Sequence, residues 1–142
     1  MFKKLDKTEF LEKKDHIKGL LGKYYNDIYP GKTLVDEEKL YELVFANLGE
    51  TMEVFLPEEG LVIVEIAFNE GKNRKECIVW NVLNKGTSSV EEFDETLTSY
   101  AKEKGINMIR IYADNPLPIS KLVKKVGYRF TYGVMEKELK NG

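Results

Sequence analysis

A chain of 142 residues suits one domain and leaves no room for two cores of ordinary size. Hydrophobic residues make up 42% and charged residues 32%, the balance of a globular chain rather than a disordered or fibrous one. The net charge of −2 creates no field that would gather nucleic acid, and one Cys (Cys77) with one His (His16) leaves neither an internal disulfide nor an ordinary zinc site.

The opening Met1-Phe2-Lys3-Lys4-Leu5-Asp6-Lys7 has positive charge but no apolar stretch behind it, so no secretory signal is read there. Thr8 opens a helix with Phe10, Ile17, Leu20, Leu21, Tyr24 and Ile28 at roughly helical spacing, ended by Pro30-Gly31. Asp36 opens a second helix with Leu40, Leu43, Val44 and Leu48 on its apolar face and Gly49 as its stop. Strands are predicted over Thr51–Leu56 and Leu61–Phe68, joined by Pro57-Glu58-Glu59-Gly60. The connection Asn69–Asn73 leads to a third strand, Glu76–Leu83. These last two strands are apolar on both faces except at Glu65 and Asn81, the pattern of central strands covered on both sides. The run Leu61–Val64 is far too short to cross a bilayer.

Small residues at Asn84–Ser89 precede a third helix whose core stripe is Val90, Phe93, Leu97, Tyr100 and Ala101, with Gly105 at its end. Ile106–Tyr112 is a fourth strand. A strand, helix and strand in this close succession make a parallel, right-handed βαβ unit. Asp114–Pro118 leads into a short helix with Ile119, Leu122, Val123 and Val126, capped by Gly127. Tyr128–Leu139 alternates as a last strand, with Gly133 as a bend. The order α-α-β-β-β-α-β-α-β predicts an α/β (α+β) fold: one domain over residues 1–142, with a mixed, mostly antiparallel sheet of five or six strands and helices on both faces.

That order, with Asp114-Asn115 followed by Leu122-Val123-Lys124-Lys125-Val126-Gly127-Tyr128, resembles the GNAT superfamily of acetyl-CoA-dependent N-acyltransferases. The C-terminal segment is similar to the family's Asn … Tyr-x-x-x-Gly-Phe, in which a short helix ends on Gly and an aromatic opens the next strand. The resemblance covers roughly Thr8 to Leu139 and is clearest from Gly60 onward. It implies acetyl-CoA as cofactor and an amine as acceptor. The family's cofactor loop, Arg/Gln-x-x-Gly-x-Gly/Ala, corresponds to Lys85-Gly86-Thr87-Ser88-Ser89-Val90. Cofactor contacts are therefore expected at Leu83, Lys85, Gly86, Thr87, Ser88, Ser89 and Asn115. Ser88 stands where the family has its second glycine. Ser88 and Ser89 also lie three residues before Glu91 and Glu92, so the stretch reads equally as an ordinary capped helix start.

Amine acetylation needs a path for a proton. Glu65 and Glu76 lie in strands flanking the expected cleft, and burial would raise such a carboxyl toward a useful range; each also reads as a glutamate on an exposed pleat. Many members use a Tyr in the short helix to protonate the leaving thiolate. Val123 holds that place here, so Tyr128, with Tyr112 and Tyr132 near it, is the candidate substitute, or a core aromatic. No metal is expected. Two functions follow. One is an N-acetyltransferase acting on an unidentified amine. The other is a catalytically inactive GNAT-fold binding or assembly protein, such as a phage particle component. A splayed gap between the third and fourth strands would make room for the cofactor's arm; a closed one favours the second reading. The setting expected is the cytoplasm, without membrane or nucleic-acid partners, and the apolar face of the first helix reads equally as a core face or as a face for a homo-oligomer or assembly partner.

Overall fold

The computed structural model describes residues 1–28, 36–82, 89–113, 124–131 and 134–140. A two-residue strand β1 (Lys3–Lys4) precedes helices α1 (Lys7–Glu12), α2 (Lys14–Ile28) and α3 (Glu37–Asn47). Strands β2 (Met52–Leu56), β3 (Leu61–Asn69) and β4 (Arg74–Val82) lead to helix α4 (Val90–Glu103) and strand β5 (Met108–Ala113). A 3-10 turn at Lys124–Val126 and strands β6 (Arg129–Thr131) and β7 (Val134–Glu138) complete the described chain.

All seven strands form one sheet in the order β1-β2-β3-β4-β5-β7-β6. Every neighbouring pair is antiparallel except β4 and β5, which run parallel with Cys77 opposite Ile109 and Asn81 opposite Ala113. Helices α1–α3 pack on one face, over Val54, Leu61, Ile63 and Val82. Helix α4 packs on the other through Phe93, Leu97, Tyr100 and Ala101, over Val62, Val64, Val79, Ile109 and Ile111. This is the mixed sheet with helices on both faces that the periodicities predict.

Four details differ from the sequence reading. The first helix is broken at Lys13, where Tyr41 Oη donates to the Phe10 carbonyl (2.8 Å) and takes the acceptor that the Lys14 amide would use in an unbroken helix. Its cap is Asp6 rather than Thr8: Asp6 Oδ1 accepts from the Glu9 amide (2.8 Å) and Glu9 returns the bond, a capping box. The last strand is two strands, because the chain reverses between Thr131 and Val134 and β7 inserts between β5 and β6. With β1 at the opposite edge, the described residues form seven strands where five or six are expected. Gly127, after the 3-10 turn, has φ +96, a backbone that only glycine adopts without strain. Among the described residues, no helix is long and apolar enough to cross a membrane.

Candidate functional site

Alternation along β3 sends Leu61 and Ile63 toward α1–α3 and Val62 and Val64 toward α4, so Glu65 lies on the α1–α3 face. Its partners in register are Met52 on β2 and Ile78 on β4. In β4, Cys77 and Val79 face α4, which leaves Glu76, Ile78, Trp80 and Val82 on the same face as Glu65. The register therefore brings the two candidate glutamates onto one face of adjacent strands, one diagonal step apart, since Glu76 pairs with Ala67.

Their surroundings separate their chemistry. Glu76 is 3% exposed, and each of its oxygens accepts two hydrogen bonds. Oε1 takes Asn69 Nδ2 (3.1 Å) and Arg110 Nε (3.0 Å); Oε2 takes Arg74 Nε (3.0 Å) and Arg110 Nη2 (3.3 Å). Burial pushes this carboxyl up, but the bonds from Arg110, Asn69 and Arg74 together outweigh it and hold the pKa below the ordinary carboxylate value. A carboxylate so held is a poor proton acceptor. Glu65 is half-buried and has no hydrogen-bond or ion-pair partner among the described residues, and burial raises its pKa.

Tyr128 lies across the sheet, in the core under α4, 3% exposed. Its hydroxyl has no hydrogen-bond partner within bonding distance among the described residues. Burial first, and the Asp94 carboxylate second, push its pKa well up. Lys137 closes over the ring, with Nζ 5.6 Å from the centroid and 3.1 Å from Asp94 Oδ1. The sheet thus stands between Tyr128 and the two glutamates. Cys77 is buried in the same core, its thiol pushed up to about 12 by desolvation, and so unreactive.

Ser89 is the N-cap of α4: its Oγ accepts from the Glu92 amide (3.0 Å). The bond from the Phe93 amide to the Ser89 carbonyl (3.1 Å) is the first of the helix, which leaves the Val90 and Glu91 amides at its open end. The Glu92 carboxylate stands 3.6 Å from the Met1 ammonium. Beside this helix start is a cleft of about 460 Å³, lined by Met1, Phe2, Lys3, Leu56, Pro57, Glu58, Ser89 and Glu92. Leu83, Lys85, Gly86, Thr87, Ser88, Asn115, Val123 and Tyr132 lie outside the described residues. Among those described, no group of three or more His, Cys, Asp or Glu side chains is placed to hold a metal ion.

No protein-family model matches the sequence, and no curated protein is similar to it. Solved structures are. A ribosomal-protein-alanine N-acetyltransferase from Brucella melitensis superposes with a TM-score of 0.61 at 13% identity, over 98% of this chain and 99% of that one. A protein from Salmonella typhimurium, solved with its cofactor acetyl-CoA, gives 0.59 at 13% identity, over 100% of this chain and 95% of that one. A GNAT-family acetyltransferase from Bacillus anthracis gives 0.55 at 17% identity, over 96% of this chain and 94% of that one. This chain has the GNAT fold.

Within the GNAT fold, the unit that the sequence singled out, strand–helix–strand around α4, is present as β4–α4–β5. The two parallel strands stay paired from Cys77 and Ile109 to Asn81 and Ala113, the last residue of β5, so no gap opens between them over these residues. The residues that sequence reasoning missed are Arg110, Arg74 and Asn69, which neutralise Glu76. A faint signal existed: Arg110 interrupts the apolar strand Ile109–Ile111, and the parallel register sets it opposite Ile78, beside Glu76.

Proposed function

We propose that this protein moves an acetyl group from acetyl-CoA to an amine, with Glu65 as the proton acceptor. The observation that carries the reading is Glu65 itself: a half-buried carboxylate without a partner among the described residues, its pKa raised, one strand from the parallel pair of a GNAT fold. The Val90 and Glu91 amides at the start of α4 fit an anionic group, and the nearby charge of Glu92 is countered by the Met1 ammonium. These amides would hold the pyrophosphate of coenzyme A, together with the loop residues Lys85, Gly86, Thr87 and Ser88, with Leu83 and Asn115 flanking it.

Bound there, acetyl-CoA supplies the activated acyl thioester. The chain's part is to seat the amine, take its proton on Glu65 and hold the reactants together. It need supply no acid, because a thiol of pKa roughly 8.5 makes a competent leaving group. That agrees with Val123 in the short segment before Gly127 and with a Tyr128 hydroxyl sealed in the core. Glu76, already neutralised, is left as a structural ion pair.

The closed pairing of β4 with β5 favours a second reading, a GNAT-fold module that binds or assembles without turnover. Calorimetric titration with acetyl-CoA, followed by an amine-dependent thiol-release assay, separates the two. Binding with release supports the transferase. No heat and no thermal shift at millimolar acetyl-CoA supports the module.

A further inference from the structure

We infer that Glu65, Ile78 and Trp80 form the seat of a monocationic amine with an apolar or aromatic body. The inference rests on the amine-acceptor reading above and adds the class of amine. Glu65 pairs in register with Ile78, and Trp80 with Ile63, so Trp80 is the diagonal neighbour of Glu65 on the same face. Diagonal neighbours across strands lie about 7–8 Å apart, within reach of a large aromatic side chain.

Exposure changes along this face. Val54, Leu61 and Ile63 are fully buried beneath α1–α3, whereas Glu65, Ile78 and Trp80 are each partly exposed. Trp80 packs against the edge of the α1–α3 core, and the cover thins along this face at these three side chains. This leaves a negative charge beside an isoleucine and an indole.

The charges around the seat select its occupant. Glu76, on the same face, is fully engaged by Arg110, Arg74 and Asn69. Glu65 is left with its desolvation unrelieved, and an ammonium relieves it through a charge-assisted hydrogen bond. Ile78 supplies apolar contact, and Trp80 adds contact and attraction between the cation and its ring. Arg110 sits opposite Ile78 on the next strand, two strand spacings or about 10 Å from Glu65. Arg110 and Arg74 together bring two positive charges to the single carboxylate of Glu76, and this excess disfavours a second ammonium on the ligand. A monoamine with an aromatic body fits this arrangement; a polyamine does not.

Trp80 is the sole tryptophan of the chain, so its emission reports occupancy without acetyl-CoA or turnover. The probes are phenethylamine, its uncharged counterpart 2-phenylethanol, and spermidine, each titrated at pH 7. A saturable emission change is expected with phenethylamine, none with 2-phenylethanol, and at least about tenfold weaker binding with spermidine. Glu65→Gln raises the phenethylamine Kd by about tenfold or more, the loss expected for one charged hydrogen bond. Glu65→Asp, which keeps the charge, restores part of it. Glu103→Gln, on α4 across the sheet, leaves it unchanged. No saturable change with phenethylamine, equal binding of the alcohol, or a Kd unmoved by Glu65→Gln overturns the seat. Adding acetyl-CoA tests the other claim separately. Phenethylamine binding without thiol release sustains the seat and contradicts acetyl transfer. Thiol release with an amine that leaves Trp80 unchanged sustains transfer and contradicts the seat.

Discussion

Arg110 Nε stands 3.0 Å from Glu76 Oε1, joining the parallel strands β5 and β4 across 34 residues of sequence. This pair engages Glu76 and leaves Glu65, on the same face, without a partner among the described residues. It also ties together the two strands that a cofactor's arm would have to part. Arg110→Met should cost about 3 kcal/mol, the low end for breaking a buried pair, because Arg74 and Asn69 still bond the carboxylate. Urea unfolding at pH 7 measures it, and an effect below about 1 kcal/mol would remove the pair from the stability account.

The two glutamates should titrate with opposite signs. The folded pKa of Glu76 lies below its unfolded value of about 4.3, so its stabilisation is complete above that pH and is lost as pH falls through the folded pKa. Glu76→Gln should therefore destabilise clearly at pH 7, with the gap to the parent closing at pH 3. The folded pKa of Glu65 lies above its unfolded value, so its contribution is most favourable in acid and is lost as pH rises through the folded pKa. Glu65→Gln should match or exceed the parent in stability at pH 7. Urea midpoints at the two pH values check both signs.

Ser89 separates helix capping from anion binding. Ser89→Ala should cost about 1 kcal/mol by freeing the Glu92 amide. Ser89→Asp caps as well and should retain stability, yet it puts a negative charge at the helix start and should weaken acetyl-CoA binding. Calorimetry on the two variants reads this; acetyl-CoA binding to Ser89→Asp at parental affinity would place the anion elsewhere.

Gly127 has φ +96, and a Cβ there would approach Lys137 Cε to 3.3 Å. Lys137 cannot move away freely, because Asp94 Oδ1 holds its Nζ at 3.1 Å. Gly127→Ala should cost about 1–2 kcal/mol, seen as a fall of several degrees in Tm by thermal unfolding. An unchanged Tm would mean that the turn relaxes at no cost.

What was legible in the sequence was what local chemistry dictates. Asp36 caps α3 as its position predicts, with its Oδ1 3.0 Å from the Glu38 amide, and Gly49, Gly105 and Gly127 end their elements with positive φ. The short connection from Leu61–Phe68 to the next strand and the crossover through α4 pointed to the antiparallel and parallel neighbours of β4. What was not legible depends on distant partners. The break at Lys13 follows a hydroxyl from Tyr41, and β1 is two exposed lysines that become a strand only against β2. The roles of Glu65 and Glu76 diverge because parallel pairing delivers Arg110 to one and not to the other. Tyr128, an aromatic near a predicted cleft in sequence, is directed away from it by the side of β5 and β7 on which α4 packs.

The most direct test of the central claim is thiol release from acetyl-CoA across a panel of amines, with the parent and Glu65→Gln side by side. Amine-dependent release is expected from the parent. A rate about 10² to 10⁴ lower is expected from Glu65→Gln, the usual contribution of a positioned proton acceptor, in a variant that is at least as stable as the parent. No release by the parent with any amine, or equal rates in the two proteins, would contradict the account.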